Sequence, residues 1–439
     1  MLISELYTLY NQHPVITTDS RVCPSGSIFF ALKGESFDGN AFAGKALQAG
    51  CAYAVIDDDS YFSDNRMIVV DNVLSTLQQL ACIHRKTLGI PVIGITGTNG
   101  KTTTKELTAA VLSKKYNTLY TQGNLNNHIG VPLTLLRLTR EHEIAVIEMG
   151  ANHPGEILDL ANISIPDYGL ITNVGYAHLE GFGSFEGVVR TKGELYDFLR
   201  KAGGKIFINL DNEHLTEIAG GLEQISYGIA PAIEKAPFVS GKVLYRHPFF
   251  SFEWHQKEKS ARYSVETHLV GNYNMCNVLA AITIGVHFDV APEQINDAIA
   301  NYEPSNNRSQ LMKTANNTLI IDAYNANPSS MRAALENFAS SPVASPDNTL
   351  PKAMILGDML ELGEKSPELH DDIVKLAETL GIEKILLCGE QFSSVGKKHK
   401  CFPSVEALDD FLNENPLRGY NILIKGSHGI HLEKIIKRL

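Results

Sequence analysis

The sequence predicts an α/β protein built from more than one domain, and three observations support this fold class. Short apolar runs rich in Val and Ile alternate with amphipathic stretches along most of the chain. A glycine-rich turn joins one of these runs to a helical stretch, an arrangement typical of phosphate-binding folds. The chain has 439 residues and a mass of 48.2 kDa, more than one hydrophobic core usually organises, which favours two or three domains.

The first part of the chain, residues 27–88, has the pattern of small α/β units. SIFFALKG, YAVID and MIVV are strand-like, whereas FAGKALQAG and NVLSTLQQLACIHRKTLG are helical. Gly89 and Pro91 predict the end of this unit because both residue types terminate helices. Farther along, PVIGIT, IAVIEMG, YGLITNVG and GKIFINLD are strand-like with helical stretches between them. That alternation predicts a mostly parallel sheet covered on both faces.

Two further segments follow. Residues from about 225 to 270 alternate apolar and polar side chains, which predicts an antiparallel hairpin appendage exposed on one face. After PSNNRSQ, the strand-like runs TLIIDAY, KAMILGD, KILLCG and YNILIKG alternate with helices expected from Pro328, near 367–380, near 404–413 and at the C-terminus. This series predicts a separate doubly wound domain.

The composition argues against several classes of protein. Thirty-eight Lys and Arg against forty-nine Asp and Glu leave a net charge of −11, which opposes non-specific binding to nucleic acid or to an anionic membrane. The six scattered cysteines predict reduced thiols rather than disulfides or a metal cluster. The sequence has no signal-peptide pattern and no apolar run of about 18 residues, so we expect a soluble cytoplasmic protein without membrane insertion.

The strongest chemical signal is VIGITGTNGKTTTKELTAAVL, in which a β-branched run leads through a glycine-rich turn into a helix. Glycines let backbone N–H groups approach phosphate oxygens, and a lysine at the helix start meets the β- and γ-phosphates. The full Walker spacing requires glycine at position 95, where Ile95 stands, so this turn is a shorter variant. A purely structural glycine turn is the alternative. The adjacent Lys101 and Thr102 favour a nucleoside triphosphate instead.

Three more residues are candidates for the chemistry. Glu148 and His178 follow the runs IAVIE and LITNV, so we expect both at the carboxyl edge of the sheet, where the glycine-rich turn also lies. A carboxylate and an imidazole at that edge are able to complete a Mg²⁺ shell around phosphate oxygens, although either residue alone is more often structural. Lys192 is expected in the first turn of a helix after GFGSFEGVV, where a lysine is ordinarily solvated.

Five motifs occur in one order through the middle of the chain: GTNGKTTT from Gly97, QGNLNNHIGVP from Gln122, EMGANHPGEI from Glu148, TNVGYAHLEGFGS from Thr172 and TKGEL from Thr191. Together they resemble the central domain of the Mur ligase family. IDAYNANPSSM, LGDMLELGE and IKGSHG resemble the third domain of the members that add D-alanyl-D-alanine. TTDSRVCPSGSIFFALKGESFDGNAF agrees with the first domain, so the resemblance spans nearly the whole chain.

The resemblance implies a three-domain architecture. The expected units are a small N-terminal α/β domain that binds a UDP-sugar (1–88), a central P-loop-type domain with a mostly parallel sheet that binds ATP (89–308), and a C-terminal Rossmann-like domain (309–439). It also implies an ATP- and Mg²⁺-dependent ligase, acting as a monomer, that joins D-alanyl-D-alanine to UDP-N-acetylmuramoyl-tripeptide through an acyl phosphate. The product is a peptidoglycan precursor of the cell wall. The third residue of the tripeptide, diaminopimelate or lysine, is left open.

The resemblance also assigns residues. The implied catalytic residues are Lys101, Lys192, His178 and Glu148, and the implied Mg²⁺ ligands are Thr102, Glu148, His178 and Lys192, the last as a carbamate. A neutral amine that captures CO₂ becomes an anion able to bind Mg²⁺, whereas ammonium would repel it. The nucleotide is expected at Gly97, Thr98, Asn99, Gly100, Lys101, Thr102, Thr103, Asn277, Arg308, Asp322 and Asn325. The UDP-linked substrate is expected at Ser20, Arg21, Lys33, Gly34, Asp38, Asn126 and Asn127.

Some positions depart from the family pattern, and other functions remain open at this point. Asn40 stands where histidine is common, Tyr273 lies in a motif that often carries histidine, and His428 and His431 replace frequent arginines. Histidine offers fewer donors to a carboxylate than arginine does, so the contact to the dipeptide is left open. The alternatives are the ligase that adds the third peptide residue, a folylpolyglutamate synthetase, a P-loop ATPase or GTPase acting as a switch, and a catalytically silent binding protein.

Overall fold

The computed structural model describes residues 1–229, 236–245, 249–304, 307–340 and 350–439. Over these ranges the strands form three sheets of four, nine and six strands. Each sheet lies within one of the three predicted domain ranges, although the boundaries at 88/89 and 308/309 stay predictions. The α/β class is confirmed, since helices alternate with mostly parallel strands along the chain.

The N-terminal sheet is parallel, in the order β1-β2-β3-β4. Its elements are α1 Ile3–Gln12, β1 Ile16–Thr17, β2 Ile28–Phe30, α2 Ala43–Gln48, β3 Tyr53–Ile56, β4 Met67–Val69 and α3 Val73–Leu88. The Asn72 side chain caps α3, which ends at Gly89 with a φ of +65°. The strands and helices predicted for residues 27–88 are thus confirmed, and α1 and β1 precede that segment.

The N-terminal and central domains share one hydrophobic core. Leu6 of α1 and Leu77 of α3 belong to the same buried cluster as Val92 and Leu160 of the central domain. Tyr10 also donates its hydroxyl to the carbonyl of Leu136. Burial of apolar surface on both sides holds the two domains together.

The central sheet has nine strands, in the order β13-β12-β11-β10-β9-β8-β5-β7-β6. The strands are β5 Val92–Thr96, β6 Thr118–Tyr120, β7 Ile144–Glu148, β8 Tyr168–Ile171, β9 Lys205–Asn209, β10 Glu223–Ile229, β11 Val239–Tyr245, β12 Ser251–Gln256 and β13 Tyr263–Glu266. The helices are α4 Lys101–Leu112, α5 Gly130–Leu135, α6 Glu156–Ser164, α7 Leu179–Phe182, α8 Phe185–Ala202, α9 Glu213–Ile218, α10 Met275–His287 and α11 Pro292–Ala300. Strand β5 is buried along its whole length, as parallel strands covered on both faces are.

The predicted hairpin appendage at about 225–270 is wrong in its placement. Strand β10 pairs in parallel with β9, β11 pairs in parallel with β10, and β12 pairs antiparallel with both β11 and β13. Phe252 and Trp254 are fully buried against the rest of the central core. The segment therefore widens the central sheet.

The position predicted for Lys192 is also wrong. Helix α8 begins earlier, at Phe185, because the hydroxyl of Ser184 accepts from the Gly187 N–H as an N-cap. Lys192 consequently lies in the middle of α8, and its side chain is buried with 1% exposure.

The C-terminal sheet has the order β14-β15-β19-β16-β17-β18, parallel except for β14. Its elements are β14 Gln310–Lys313, β15 Thr318–Asp322, α12 Pro328–Ser340, β16 Lys352–Gly357, α13 Ser366–Thr379, β17 Lys384–Cys388, α14 Glu390–Val395, β18 Lys400–Phe402, α15 Val405–Glu414 and β19 Asn421–Lys425. Separate buried clusters around Phe338 and Leu408 cover it, consistent with the doubly wound prediction. The helix expected at the C-terminus is a 3-10 helix, Leu432–Arg438.

Candidate functional site

The glycine-rich turn connects β5 to α4, and two of its glycines are required by their surroundings. Gly97 has a φ of +140°, and a Cβ there would lie 2.1 Å from the Oγ1 of Thr172. Gly100 has a φ of +79°, and a Cβ there would lie 2.5 Å from the Oδ1 of Asn277. No other residue type fits this backbone without moving its neighbours.

The backbone of Asn99 is held by the end of the neighbouring strand. Its N–H donates to the Oδ1 of Asn173 over 3.0 Å, and its carbonyl accepts from the Oγ1 of Thr172 over 2.6 Å. The N–H of Thr98 donates to the carbonyl of Asn173. The turn is thus fixed in shape before any ligand arrives.

Lys101, the first residue of α4, folds back over the turn. Its Nζ donates to the carbonyls of Gly97 over 2.8 Å and Thr98 over 3.2 Å. Burial lowers the pKa of Lys101, Glu148 opposes this change, and Arg308 adds to it. The ammonium is therefore poised above the turn, among groups able to receive an anion.

Glu148 is the last residue of β7 and is almost fully buried. Its Oε1 accepts from the Oγ1 of Thr102 over 3.2 Å and from the Nδ2 of Asn126 over 2.8 Å. In the described part of the chain, its Oε2 has no hydrogen-bond partner, and the Nζ of Lys105 lies 3.6 Å away. The unpartnered carboxylate oxygen beside a threonine hydroxyl fits a hard cation such as Mg²⁺.

Lys192 lies against the chain that follows β7. Its Nζ donates to the carbonyl of Ala151 over 3.2 Å and lies 5.0 Å from the centre of the Phe182 ring. Burial, with the nearby charge of Lys101, lowers the pKa of Lys192 to about 7. A large part of this amine is therefore uncharged at neutral pH.

His178 follows β8 by several residues and adopts a left-handed backbone with a φ of +50°. Its Nδ1 contacts the carboxylate of Glu361, which belongs to the C-terminal domain. The N–H of Glu180 also donates to the carbonyl of Glu361. His178 thus lies where the central and C-terminal domains meet.

A cavity of about 950 Å³ lies between the central and C-terminal domains, with Leu74 and Gln78 of α3 at its N-terminal side. Most of the predicted nucleotide and metal residues line it: Thr98, Asn99, Gly100, Lys101, Thr102, Thr103, Glu148, His178, Asn277, Arg308, Asp322 and Asn325. Asn126 and Asn127, predicted for the UDP-linked substrate, line it too. Gly97 and Lys192 lie behind this wall. The prediction that Glu148 and His178 gather around the glycine-rich turn is confirmed.

The C-terminal side of the cavity carries its own charges. The Oδ2 of Asp322 accepts from the Nζ of Lys425 over 2.6 Å, and the same Nζ donates to the carbonyl of Asn325. The guanidinium of Arg308 stacks 3.6 Å above the Tyr324 ring. These contacts hold Asp322, Asn325 and Arg308 in place from the C-terminal domain.

Some predicted binding residues already have partners within the protein. The Oδ1 of Asn277 accepts from the Oγ1 of Thr104, and its Nδ2 donates to Asn274. The Oδ1 of Asn127 accepts from the N–H groups of Ile129 and Gly130, at the start of α5. The Asn277 amide therefore links two other side chains, and the Asn127 amide stabilises the local backbone.

Two negative findings complete the geometry. In the described ranges, no three His, Cys, Asp or Glu side chains gather as a metal cluster. No helix of the described residues is long and apolar enough to cross a membrane.

Family models match almost the entire chain. Residues 14–96 match the model described as Mur ligase family, catalytic domain, residues 95–285 match the Mur ligase middle domain, and residues 307–428 match the Mur ligase, glutamate ligase domain. This chain belongs to the Mur ligase family. The match covers all three sheets described above.

Individual Mur ligases are similar over their full lengths. UDP-N-acetylmuramoyl-tripeptide–D-alanyl-D-alanine ligase of Bacillus subtilis (strain 168) is 34% identical over 97% of this chain and 92% of that protein. The ligase of the same name from Escherichia coli (strain K12) is also 34% identical, over 97% of this chain and 93% of that protein. A crystal structure of MurF from Acinetobacter baumannii has a TM-score of 0.84 and 32% identity, with 96% and 92% of the two chains covered.

The residues predicted for the UDP-linked substrate in the first domain of this Mur ligase do not line the cavity. They are Ser20, Arg21, Lys33, Gly34 and Asp38. Lys33 pairs with Asp57 over 2.9 Å, and Asn40 links Asp38 to Asp57 through its side chain. Arg21 is exposed and pairs with Asp19. These residues form a separate polar patch on the N-terminal domain.

Sequence reasoning missed several residues of the site. Lys105 is buried beside Glu148, and Asn173 shapes the glycine-rich turn. Asn327 and Glu361 reach the central domain from the C-terminal domain. Asn327 and Glu361 stand within the quoted motifs DAYNANP and LGDMLELGE, and Asn173 within TNVGYAH, but their partners are distant in sequence. The motifs therefore indicated which segments belong to the site, but not which residues contact each other there.

Proposed function

We propose that this chain is an ATP-dependent ligase that joins D-alanyl-D-alanine to UDP-N-acetylmuramoyl-tripeptide in the synthesis of peptidoglycan precursors. The observation that carries the proposal is the cavity, where the glycine-rich turn, Glu148 and His178 face the C-terminal domain. Ligases named for this activity align with 97% of the chain. The protein is further proposed to act as a monomer in the cytoplasm.

ATP is proposed to bind with its triphosphate across the turn from Gly97 to Thr103. The Lys101 ammonium and the amides at the start of α4 would hold phosphate oxygens, because Gly100 to Thr103 line the cavity at that helix end. Asn277, Arg308, Asp322 and Asn325 would contact the rest of the nucleotide. Arg308 and Lys425 add positive charge on that side.

Mg²⁺ is proposed to bind at Thr102, Glu148 and His178, with Lys192 contributing as a carbamate. The buried Oε2 of Glu148, which lacks a hydrogen-bond partner among the described residues, fits this role. When bound, the cation would neutralise charge on the phosphate oxygens. Lys192 suits carbamate formation because its amine loses its proton near neutral pH.

The reaction is proposed to have two steps. A carboxylate oxygen of the tripeptide attacks the γ-phosphorus of ATP, the bond to the β,γ-bridging oxygen breaks, and ADP leaves. The amine of D-alanyl-D-alanine then attacks the carbonyl carbon of the acyl phosphate, loses a proton, and inorganic phosphate departs. Carboxylate and triphosphate repel each other, so Lys101 lowers the barrier by neutralising charge in a cavity that limits access of water.

The UDP-linked substrate is proposed to bind between the N-terminal domain and the cavity. Ser20, Arg21, Lys33, Gly34 and Asp38 would contact its uridine nucleotide, and Asn126 and Asn127 would line the path to the reacting carboxylate. The polar patch around Lys33 and Asp57 offers one cation and several acceptors for such a ligand.

The test is a direct assay. The protein is incubated with ATP, Mg²⁺, D-alanyl-D-alanine and UDP-N-acetylmuramoyl-tripeptides that carry either diaminopimelate or lysine, and the products are identified by mass spectrometry. We expect the pentapeptide product, with phosphate release that requires both acceptors. A Lys101→Ala variant should lose this activity at saturating ATP, because the charge over the turn is gone.

Other outcomes would point to other functions. Phosphate release without acceptors would indicate an ATPase switch, and nucleotide binding without turnover a silent binding protein. Addition of a free diamino acid as the third peptide residue would indicate the ligase that performs that step. Addition of glutamate to folate would indicate a folylpolyglutamate synthetase.

A further inference from the structure

The glycine-rich turn is also held from the C-terminal domain, through a partly buried hydrogen bond. Asn327, the residue before α12, donates from its Nδ2 to the Oδ1 of Asn99 over 2.7 Å. Asn327 is 3% exposed, so water does not compete freely for this bond. The bond joins residues 228 positions apart in sequence.

Asn99 makes this contact through its side chain, because its backbone groups are bonded elsewhere. Its backbone N–H and carbonyl are engaged by Asn173 and Thr172 of the central domain. The start of α12 packs against the same wall, since a Cβ on Gly175 would lie 3.0 Å from the Oγ of Ser329. Asn99 is therefore fixed by the central domain through its backbone and by the C-terminal domain through its amide.

We propose that Asn327 is a positioning residue that couples docking of the C-terminal domain to the conformation of the phosphate-binding turn. The Asn99–Asn327 bond exists only when α12 lies against the turn. Any free energy that this bond adds to docking must also favour the docked form of the turn, because linkage between two sites is reciprocal. The inference rests on the proposed function in placing the nucleotide at this turn.

Asn327 also caps α12, and the test must separate the two roles. Its Oδ1 accepts from the N–H of Ser330. Asn327→Ser keeps a good N-cap but is too short to reach Asn99. Asn99→Ala removes the acceptor without touching α12. The matched control is Asn72→Ser, the same change at the exposed cap of α3, where the side chain accepts from the N–H of Ser75.

The first experiment measures steady-state kinetics of the full-length variants. We expect Asn327→Ser and Asn99→Ala each to lower kcat by roughly three- to tenfold, the range for one lost hydrogen bond. The double variant should be no slower than the slower single variant, because both changes remove the same bond. Asn72→Ser should match wild type. Losses that multiply in the double variant would overturn the proposal.

The second experiment does not depend on ligase activity. Amide hydrogen exchange is followed at the first turn of α12 with and without a non-hydrolysable ATP analogue and Mg²⁺. We expect the analogue to slow exchange there in wild type and in Asn72→Ser, but much less in Asn99→Ala, whose α12 cap is intact. Equal protection in Asn99→Ala would refute the coupling. Absence of analogue binding to wild type would instead refute the proposed function.

Discussion

The amine of Lys192 lies where its charged form is disfavoured, with burial and Lys101 lowering its pKa to about 7. Below that pH the group is mostly ammonium, and above it mostly free amine, which is the form that reacts with CO₂. Reaction would invert the charge at this position from positive to negative. A carbamate would then be stabilised by the cations that now destabilise the ammonium.

We therefore predict that Lys192 forms a carbamate whose yield in ¹³C-bicarbonate rises between about pH 6 and about pH 8. The measurement is ¹³C NMR of the protein, and Lys192→Ala should lack the signal. Lys205 is a suitable control, since its pairing with Glu223 raises its pKa and keeps it protonated in this range. Lys192→Ala should also lose ligase activity, partly restored by added short carboxylic acids. A pH-independent signal that survives in Lys192→Ala would contradict the assignment.

At Gly97 we predict that alanine abolishes nucleotide binding. The added Cβ would meet the Oγ1 of Thr172 at 2.1 Å and its backbone N at 3.0 Å, so the turn must move. Gly123→Ala is the control, because Gly123 has a φ of +53° but nothing within 4 Å of the added Cβ. Isothermal calorimetry with an ATP analogue should show at least a tenfold weaker affinity for Gly97→Ala only, since about 1.4 kcal/mol already corresponds to tenfold. Equal affinities would show that the turn tolerates the clash.

At the scale of single residues, the sequence predicted which segments carry the site but not all of the contacts. Glu148 was predictable because it ends a β-branched run, and such ends meet at one sheet edge. The burial of Lys192 was not, because the pattern around it marked the wrong helix start. Lys105 gave no signal, since its neighbour Glu148 lies far along the chain.

A carboxylate on α8 caps the N-terminal end of α6 and so connects the two helices. The carboxylate of Glu194 on α8 accepts from the N–H groups of Gly155 over 2.7 Å and Leu158 over 3.0 Å, at the start of α6. An acceptor at that end satisfies free N–H groups and complements the helix dipole. The contact fixes the position of α8, the helix that carries Lys192.

We predict that Glu194→Ala lowers the free energy of unfolding by about 1–2 kcal/mol, as loss of a capping acceptor does. Urea denaturation followed by circular dichroism measures the change. Asp197→Ala on the same helix removes an exposed pair with Arg200 and should cost less than about 0.5 kcal/mol. If both variants unfolded alike, the capping role of Glu194 would be wrong.

Element types were easier to predict from sequence than element partners. Alternation of apolar and polar residues marked strands β11 to β13 but could not show that β10 pairs with β9. The register that places Tyr227 beside Asn209 depends on a neighbour from another part of the chain. The local pattern therefore predicted the strands, whereas the order of the strands in the sheet is known only from the structure.

Across the whole molecule, the C-terminal domain meets the central domain on two sides of the cavity. One contact joins Asn327 to Asn99, and the other joins Glu361 to His178 and Glu180. Glu361 has a left-handed φ of +63°, which a non-glycine residue adopts only when its surroundings hold it there. The two contacts set the orientation of the C-terminal domain.

We predict that Glu361→Ala loosens this arrangement and raises the radius of gyration with an ATP analogue bound, because the C-terminal domain loses one of its contacts with the central domain. Small-angle X-ray scattering provides the measurement. Glu364→Ala is the control, an exposed acid three residues away in a 3-10 helix. An unchanged scattering profile in Glu361→Ala would mean that the contact with His178 contributes little to docking.

Length and the recurring strand and helix pattern predicted two or three domains, and the family resemblance implied three. The contacts between the domains could not be predicted. Leu6 and Leu77 complete a core with residues of the central domain, and no local pattern shows which apolar face meets which. The boundaries predicted at 88 and 308 await a measurement such as limited proteolysis.

The ammonium of Lys101 is already satisfied by the carbonyls of Gly97 and Thr98, so an arriving ligand has to displace neutral acceptors from it. Binding at this turn therefore replaces the carbonyl acceptors of Lys101 with an acceptor on the ligand. An uncharged mimic gains almost nothing from the exchange, whereas an anionic oxygen adds the attraction between opposite charges to the hydrogen bond. The turn thereby selects ligands by their negative charge before their shape is tested elsewhere in the cavity.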